Sequence, residues 1–166
     1  LSAIASIFAF IDVAVNGNTG NIKLWTWVNS GSLEYAWELR GDTLSMIMLL
    51  MVTWVSSMIH IYSIGYMSHD SSIPRFMCYL SLFTFFMLML VTSNNLVQLF
   101  FGWEGVGLMS YLLIGFWYDG PSACAAAIKA FIVNRVGDFG FALGIFATFL
   151  LFDSISFDTI FGLAEG

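Results

Sequence analysis

The chain is 166 residues long, 59% hydrophobic and only 10% charged, with a formal net charge of −6. Ordinary soluble domains are about 45–50% apolar and about 25% charged, so this composition excludes a soluble enzyme domain and describes a polytopic membrane protein. Eleven acidic residues against five basic ones, with no basic cluster, argue against nucleic acid as a partner and against loops that attach strongly to anionic headgroups.

A complete span needs about 20 apolar residues. Residues 1–15 are apolar but too few, and they lack the basic start of a signal peptide. They read as a partial transmembrane helix entered part-way, so the chain is expected to be a fragment or one piece of a split subunit. Residues 16–42 form a polar loop with Gly17, Gly20, Gly31 and Gly41. Inside it, residues 22–28 alternate loosely and predict a short strand or hairpin, and Trp25 and Trp27 suit the membrane interface. Four complete spans follow, at about 43–67, 76–92, 96–118 and 123–152. They are separated by the 68–75 loop with Pro74, the Ser93-Asn94-Asn95 turn and the Asp119-Gly120-Pro121-Ser122 turn, where Pro121 suits the first turn of a helix. Residues 153–166 form a polar tail in which Phe157, Ile160, Phe161 and Leu163 can line one side of an amphipathic surface helix. The expected fold is all-α, a transmembrane helix bundle. Loop charges do not orient it: Lys23 and Arg40 lie on one side and Arg75 on the other.

Polar residues inside the spans carry the functional information. Between residues 76 and 118 the one charge is Glu104. A carboxylate near the centre of a span costs roughly 2.5–3.5 kcal/mol, so chance rarely leaves one there. The last span carries Lys129, Arg135 and Asp138. Arg135 and Asp138 are three apart, share a helix face and can pair; Lys129 lies about two turns earlier, near enough to the Asp119 side to snorkel there. If the third and fourth complete spans pack together, Glu104, Arg135 and Asp138 all fall near the middle of the bilayer. Desolvation favours a protonated carboxylate and a nearby cation favours an ionised one, which is the physical requirement for a proton relay. The competing reading is an intrahelical Arg135–Asp138 staple with Glu104 as hydrogen-bonded glue between helices. His60, in an otherwise neutral span, reads as a packed, hydrogen-bonded histidine before a proton carrier. Gly102 and Gly105 either let a neighbouring backbone approach or permit a distortion that admits water. Cys78 and Cys124 are isolated and read as packing residues, not as a metal site or disulfide.

Several stretches together resemble a known family. Asn94-Asn95-Leu96-Val97-Gln98-Leu99-Phe100-Phe101-Gly102-Trp103-Glu104-Gly105-Val106-Gly107, then Ser110-Tyr111-Leu112-Leu113-Ile114-Gly115, is similar to chain 5 of NADH–ubiquinone oxidoreductase, respiratory complex I. So is Ala125-Ala126-Ala127-Ile128-Lys129-Ala130-Phe131-Ile132-Val133-Asn134-Arg135-Val136-Gly137-Asp138, and Tyr62-Ser63-Ile64-Gly65-Tyr66-Met67 with Arg75-Phe76-Met77 also fits. The resemblance implies a proton-pumping, antiporter-like subunit of the membrane arm, with this chain as part of the first of two inverted five-helix repeats. It implies proton-path roles for Glu104, Arg135 and Asp138, and carries Lys129 with them. It puts the 68–75 and 119–122 loops on the matrix side and the 16–42 loop on the intermembrane side of the mitochondrial inner membrane, the bacterial plasma membrane being the second choice. FMN, the iron–sulfur clusters and ubiquinone are expected elsewhere in the complex, with no cofactor in this chain. The expected partners are other membrane-arm subunits and a separate chain carrying the rest of the fold, including a broken helix whose lysine would pair with Glu104. The alternatives are a subunit of a multi-subunit cation/proton antiporter and a non-pumping structural remnant of the membrane arm.

Overall fold

The computed structural model describes residues 1–30 and 33–164; Gly31 of the expected loop and Glu165 of the expected tail lie outside the described residues. The chain runs α1 (Ser2–Ala14), β1 (Gly20–Ser30), β2 (Leu33–Gly41), α2 (Thr43–Tyr66), α3 (Ile73–Val91), α4 (Leu96–Ile114), α5 (Pro121–Phe152) and α6 (Phe157–Ala164). Helices α2 to α5 are each long and apolar enough to cross a membrane. Successive helices pack in chain order, as short connections require. The Thr53 hydroxyl donates to that of Ser6 at 2.8 Å and ties α2 to α1, while Ser56 and Thr84 bond across α2 and α3 at 2.7 Å. Large side chains such as Phe139, Phe146, Leu150 and Leu151 stand exposed, which suits lipid or a further helix and not water.

Local chemistry fixes the helix ends. Asp42 caps α2 by accepting the Ser45 N–H at 2.7 Å, and Asn95 caps α4 by accepting the Gln98 N–H at 2.7 Å. Helix α3 begins at Ile73, before the expected start at residue 76. Pro74 sits in its first turn, where a missing N–H costs nothing. Helix α4 stops at Ile114, short of the expected 118: Gly115 is its C-cap at ψ 19, and the Phe116 N–H drops to the Leu113 carbonyl at 3.4 Å. The next residue, Phe116, then turns inward and is only 3% exposed. Asp153 ends α5 in the left-handed region at φ 50, a conformation that short polar side chains tolerate.

The loop between α1 and α2 is an antiparallel hairpin longer than the alternation predicts. Gly20 pairs with Gly41 and Trp25 with Trp37, and two register shifts, at Lys23/Trp25 and Thr26/Val28, interrupt the pattern. Bulges of this kind explain why strict period-two alternation is missing from the sequence. Trp25 stacks on Trp37 at 5.6 Å, and Trp37 meets Phe101 of α4 edge-on at 5.2 Å. The Ser93–Asn95 turn does more than reverse the chain. Asn95 Nδ2 donates to the Ala36 carbonyl at 3.0 Å, and the Arg40 N–H donates to Thr92 O at 2.8 Å. Gln98 accepts the Glu38 N–H at 3.2 Å and donates to the Glu38 carbonyl at 2.8 Å. Side-chain amides thus occupy the open edge of β2 in place of a third strand. Helix α6 stacks Phe157 on Phe161 at 5.9 Å and turns that aromatic pair toward the Arg40 guanidinium, 5.7 Å from the Phe161 ring centre.

Candidate functional site

The rotation of α4 about its own axis decides what Glu104 meets. A Cβ added to Gly102 would lie 2.7 Å from the Leu90 backbone nitrogen, and one on Gly105 would lie 2.1 Å from the Phe86 ring. Only glycine admits α3 this closely, so close helix approach is the role these residues play in the structure. With the glycines facing α3, Trp103 and Glu104 between them turn the other way, toward α5.

Three charged groups and one indole meet there. Arg135 Nη1 donates to Glu104 Oε2 in a short interhelical ion pair. The same nitrogen stands 3.7 Å from Asp138 Oδ2. Trp103 donates its Nε1–H to Asp138 Oδ1 at 2.8 Å. Phe131, one turn before Arg135, lies with its ring centre 4.7 Å from the guanidinium carbon, a cation–π distance. The cluster is graded outward: the Asp138 side chain is 9% exposed, Glu104 24% and Arg135 43%. The Arg135–Asp138 contact expected from spacing is present, but as the longer leg. Spacing along one helix names the i,i+3 neighbour and is blind to the rotation of α4, which brings a second carboxylate to the same guanidinium.

Lys129 stands apart. It is exposed and lies nine residues before Asp138, about two and a half turns, so it projects from the opposite side of α5. Among the described residues it has no ion-pair partner. The 32 residues of α5 span roughly 48 Å, against a hydrocarbon core of about 30 Å. Arg135 and Asp138 lie at the middle of that length, and Lys129 lies toward the Pro121 end. His60 belongs to a different polar group between α2 and α3: its Nδ1 bonds the Ser56 carbonyl at 2.7 Å and its Nε2 the Ser81 hydroxyl at 3.2 Å.

The residues that build the cluster fall within 93–165, which match a family model described as NADH:quinone oxidoreductase/Mrp antiporter, TM. Residues 27–77 match a second model, described as NADH-Ubiquinone oxidoreductase (complex I), chain 5 N-terminus. Over 164 residues, 99% of its length, the chain is 55% identical to the NADH-ubiquinone oxidoreductase chain 5 of Triticum aestivum, covering 24% of that protein. The chain belongs to the complex I chain 5 family. It is also 57% identical over 171 residues to the NADH-quinone oxidoreductase subunit L of Rhodobacter capsulatus, and 54% identical over 164 residues to chain 5 of Arabidopsis thaliana. In each case 99% of this chain aligns with 24% of the relative, so the chain spans about a quarter of the length of the curated relatives it matches. The resemblance read from the sequence and the all-α transmembrane fold both hold.

Two residues at work in the structure were missed by sequence reasoning. Trp103 is one; its signal was adjacency to Glu104, which puts its ring about 100° round α4 and within reach of α5. Gln98 is the other, a fully buried amide one turn into α4 that pairs with the hairpin backbone. A glutamine inside an apolar run signals a hydrogen-bond partner, but nothing local names it.

Proposed function

We propose that this chain is part of a proton-translocating subunit in the membrane arm of complex I, and that Glu104, Arg135 and Asp138 form its proton-handling site. The observation that carries the reading is one guanidinium between two carboxylates, with an indole N–H fixed on one of them. With both carboxylates ionised the cluster is one negative charge in excess, and one proton neutralises it. In this reading Arg135, paired with Glu104 and 3.7 Å from Asp138, exchanges between the two carboxylates. As it leans toward Asp138, a mid-bilayer carboxylate is left without a counter-charge, the condition under which such a group takes up a proton; its return expels that proton. Quinone reduction elsewhere in the complex would drive this displacement through charge changes along the arm. Lys129 enters the proposal through the family resemblance and not through the geometry.

In this reading the redox groups lie on other chains, the partners are other membrane-arm subunits together with a chain carrying the rest of the chain 5 fold, and the membrane is the mitochondrial inner membrane. A second reading, a cation/proton antiporter subunit, is favoured by the one family description over 93–165 that names both systems. Co-purification with or without a redox module separates the two.

The test is Glu104→Gln in the native assembly, with proton pumping, NADH:quinone turnover and assembly followed together. The expected result is a fully assembled complex that pumps fewer protons per electron pair. Unchanged pumping and turnover would reduce Glu104 to helix glue and favour a purely structural role.

A further inference from the structure

Hydrogen-bond donors without acceptors collect at the end of the bundle opposite the hairpin. Arg75 lies in the first turn of α3, and its Nε is buried with no acceptor among the described residues. Its hydrogen bond to the Phe116 carbonyl, from Nη2, is long at 3.4 Å, and no carboxylate of the described residues lies within ion-pair distance. The guanidinium packs instead 4.8 Å from the Phe116 ring centre and 5.3 Å from that of Tyr118. Arg75 lines a cavity of about 270 Å³ between the start of α3, the end of α4 and the start of α5. Tyr79, Tyr111 and Tyr118 line the same cavity, and none of their hydroxyls has a hydrogen-bond partner among the described residues. Leu112 and Ile128 give it an apolar wall.

A guanidinium half-removed from water needs an anion with several oxygens. The neighbouring Asp70 feels the charge of Arg75 without pairing to it, its oxygens being taken by the Ser72 N–H at 2.7 Å and the Trp117 Nε1–H at 3.1 Å. Arg75 is the third residue of a helix that just spans the hydrocarbon core, so it sits about 3 Å from the start of that helix, where headgroups begin and aromatic residues gather. A lipid phosphodiester meets the donors there and lays its chains along the apolar wall. The surroundings choose the headgroup: Asp70 is tied to this end through Trp117, and Asp119 follows Tyr118 directly. Two carboxylates disfavour a net-anionic lipid and favour an ammonium.

We propose that Arg75 and the hydroxyls of Tyr79, Tyr111 and Tyr118 hold the phosphodiester of a zwitterionic, amine-bearing phospholipid, with its ammonium toward Asp119. The test uses the assembled complex containing the full subunit, stripped of loosely held lipid in detergent and titrated with phosphatidylethanolamine, phosphatidylglycerol or inorganic phosphate under native mass spectrometry. The wild type is expected to retain one phosphatidylethanolamine that Arg75→Gln loses, binding weakening about tenfold or more. The pair Tyr79→Phe and Tyr111→Phe removes two hydroxyls at constant volume and is expected to weaken retention severalfold; it decides the matter alone where the Arg75 variant fails to assemble. Equal retention by wild type and variants, preference for phosphatidylglycerol, or competition by inorganic phosphate would each overturn the proposal.

Discussion

Replacing Gly102 by alanine puts a methyl group 2.7 Å from the Leu90 backbone nitrogen and 2.8 Å from its Cα and Cβ. Ordinary carbon contacts begin at about 3.5 Å, so α3 and α4 must part by roughly 0.8 Å. A backbone cannot rotate out of the way as a side-chain tip can, so the shift is taken up by the helix pair. Overpacking of this kind costs typically about 1–3 kcal/mol, against which the better helix propensity of alanine returns about 1 kcal/mol at most. The displacement also acts on the next two residues. Both face α5, so an α4 pushed off α3 is driven toward α5 and the 2.8 Å Trp103–Asp138 hydrogen bond loses its geometry. In the proposed proton-translocating assembly, Gly102→Ala is therefore expected to lower both heat resistance and pumping. Gly65→Ala, where an added Cβ meets nothing within 4 Å, serves as the control. Assembly on native gels, thermal inactivation and the pumping ratio would be read on the same preparations. If Gly102→Ala behaves like Gly65→Ala, the helices do not approach as described and the orientation of Glu104 loses its cause.

Trp103→Phe keeps an aromatic edge against Phe141 but removes the N–H that Asp138 accepts. In a double-mutant cycle with Asp138→Asn, the pair is expected to couple by about 1.5–3 kcal/mol, the range for hydrogen bonds to charged groups. Gln98→Leu leaves the Glu38 N–H and carbonyl facing an apolar side chain; at about 1–3 kcal/mol for each group left unsatisfied, the hairpin should detach and become open to limited proteolysis while the spans remain. At Asp42, burial raises the carboxyl, but the Ser45 N–H and hydroxyl together with Arg40 outweigh it and hold the group below its ordinary 3.8. A carboxyl depressed by folding stabilises above its ordinary value, and the effect fades as pH falls through the lowered one. Asp42→Ala is accordingly expected to cost about 0.5–2 kcal/mol near neutral pH, with the difference from wild type shrinking in acid melts.

The spans were legible because lipid demands long apolar runs whatever the tertiary contacts. Their ends were legible to within a turn, and they slipped where a single residue decides, as at Pro74 and Gly115. Membership of the candidate site was legible for Glu104, Arg135 and Asp138, since charge in a span is costly wherever it points. The pairing was not, because it depends on helix rotation set by Gly102 and Gly105 against residues of α3. Lys129 shows the same blindness in reverse: it is close in sequence but half a turn out of phase with Asp138. The hairpin was half legible; its turn partners, Asn95 and Gln98, lie some sixty positions downstream of the strand they complete.

That separation has a consequence for how the protein is made. The edge of β2 emerges from the ribosome before the amides that will cover it, and Gln98 lies 60 residues beyond Glu38. At about 5–20 residues per second, the strand waits roughly 3–12 s, while two further helices enter the bilayer, before its last backbone groups are matched. The latch can close only if the turn after α3 returns to the same side as the hairpin. A misthreaded helix would leave the edge of β2 open.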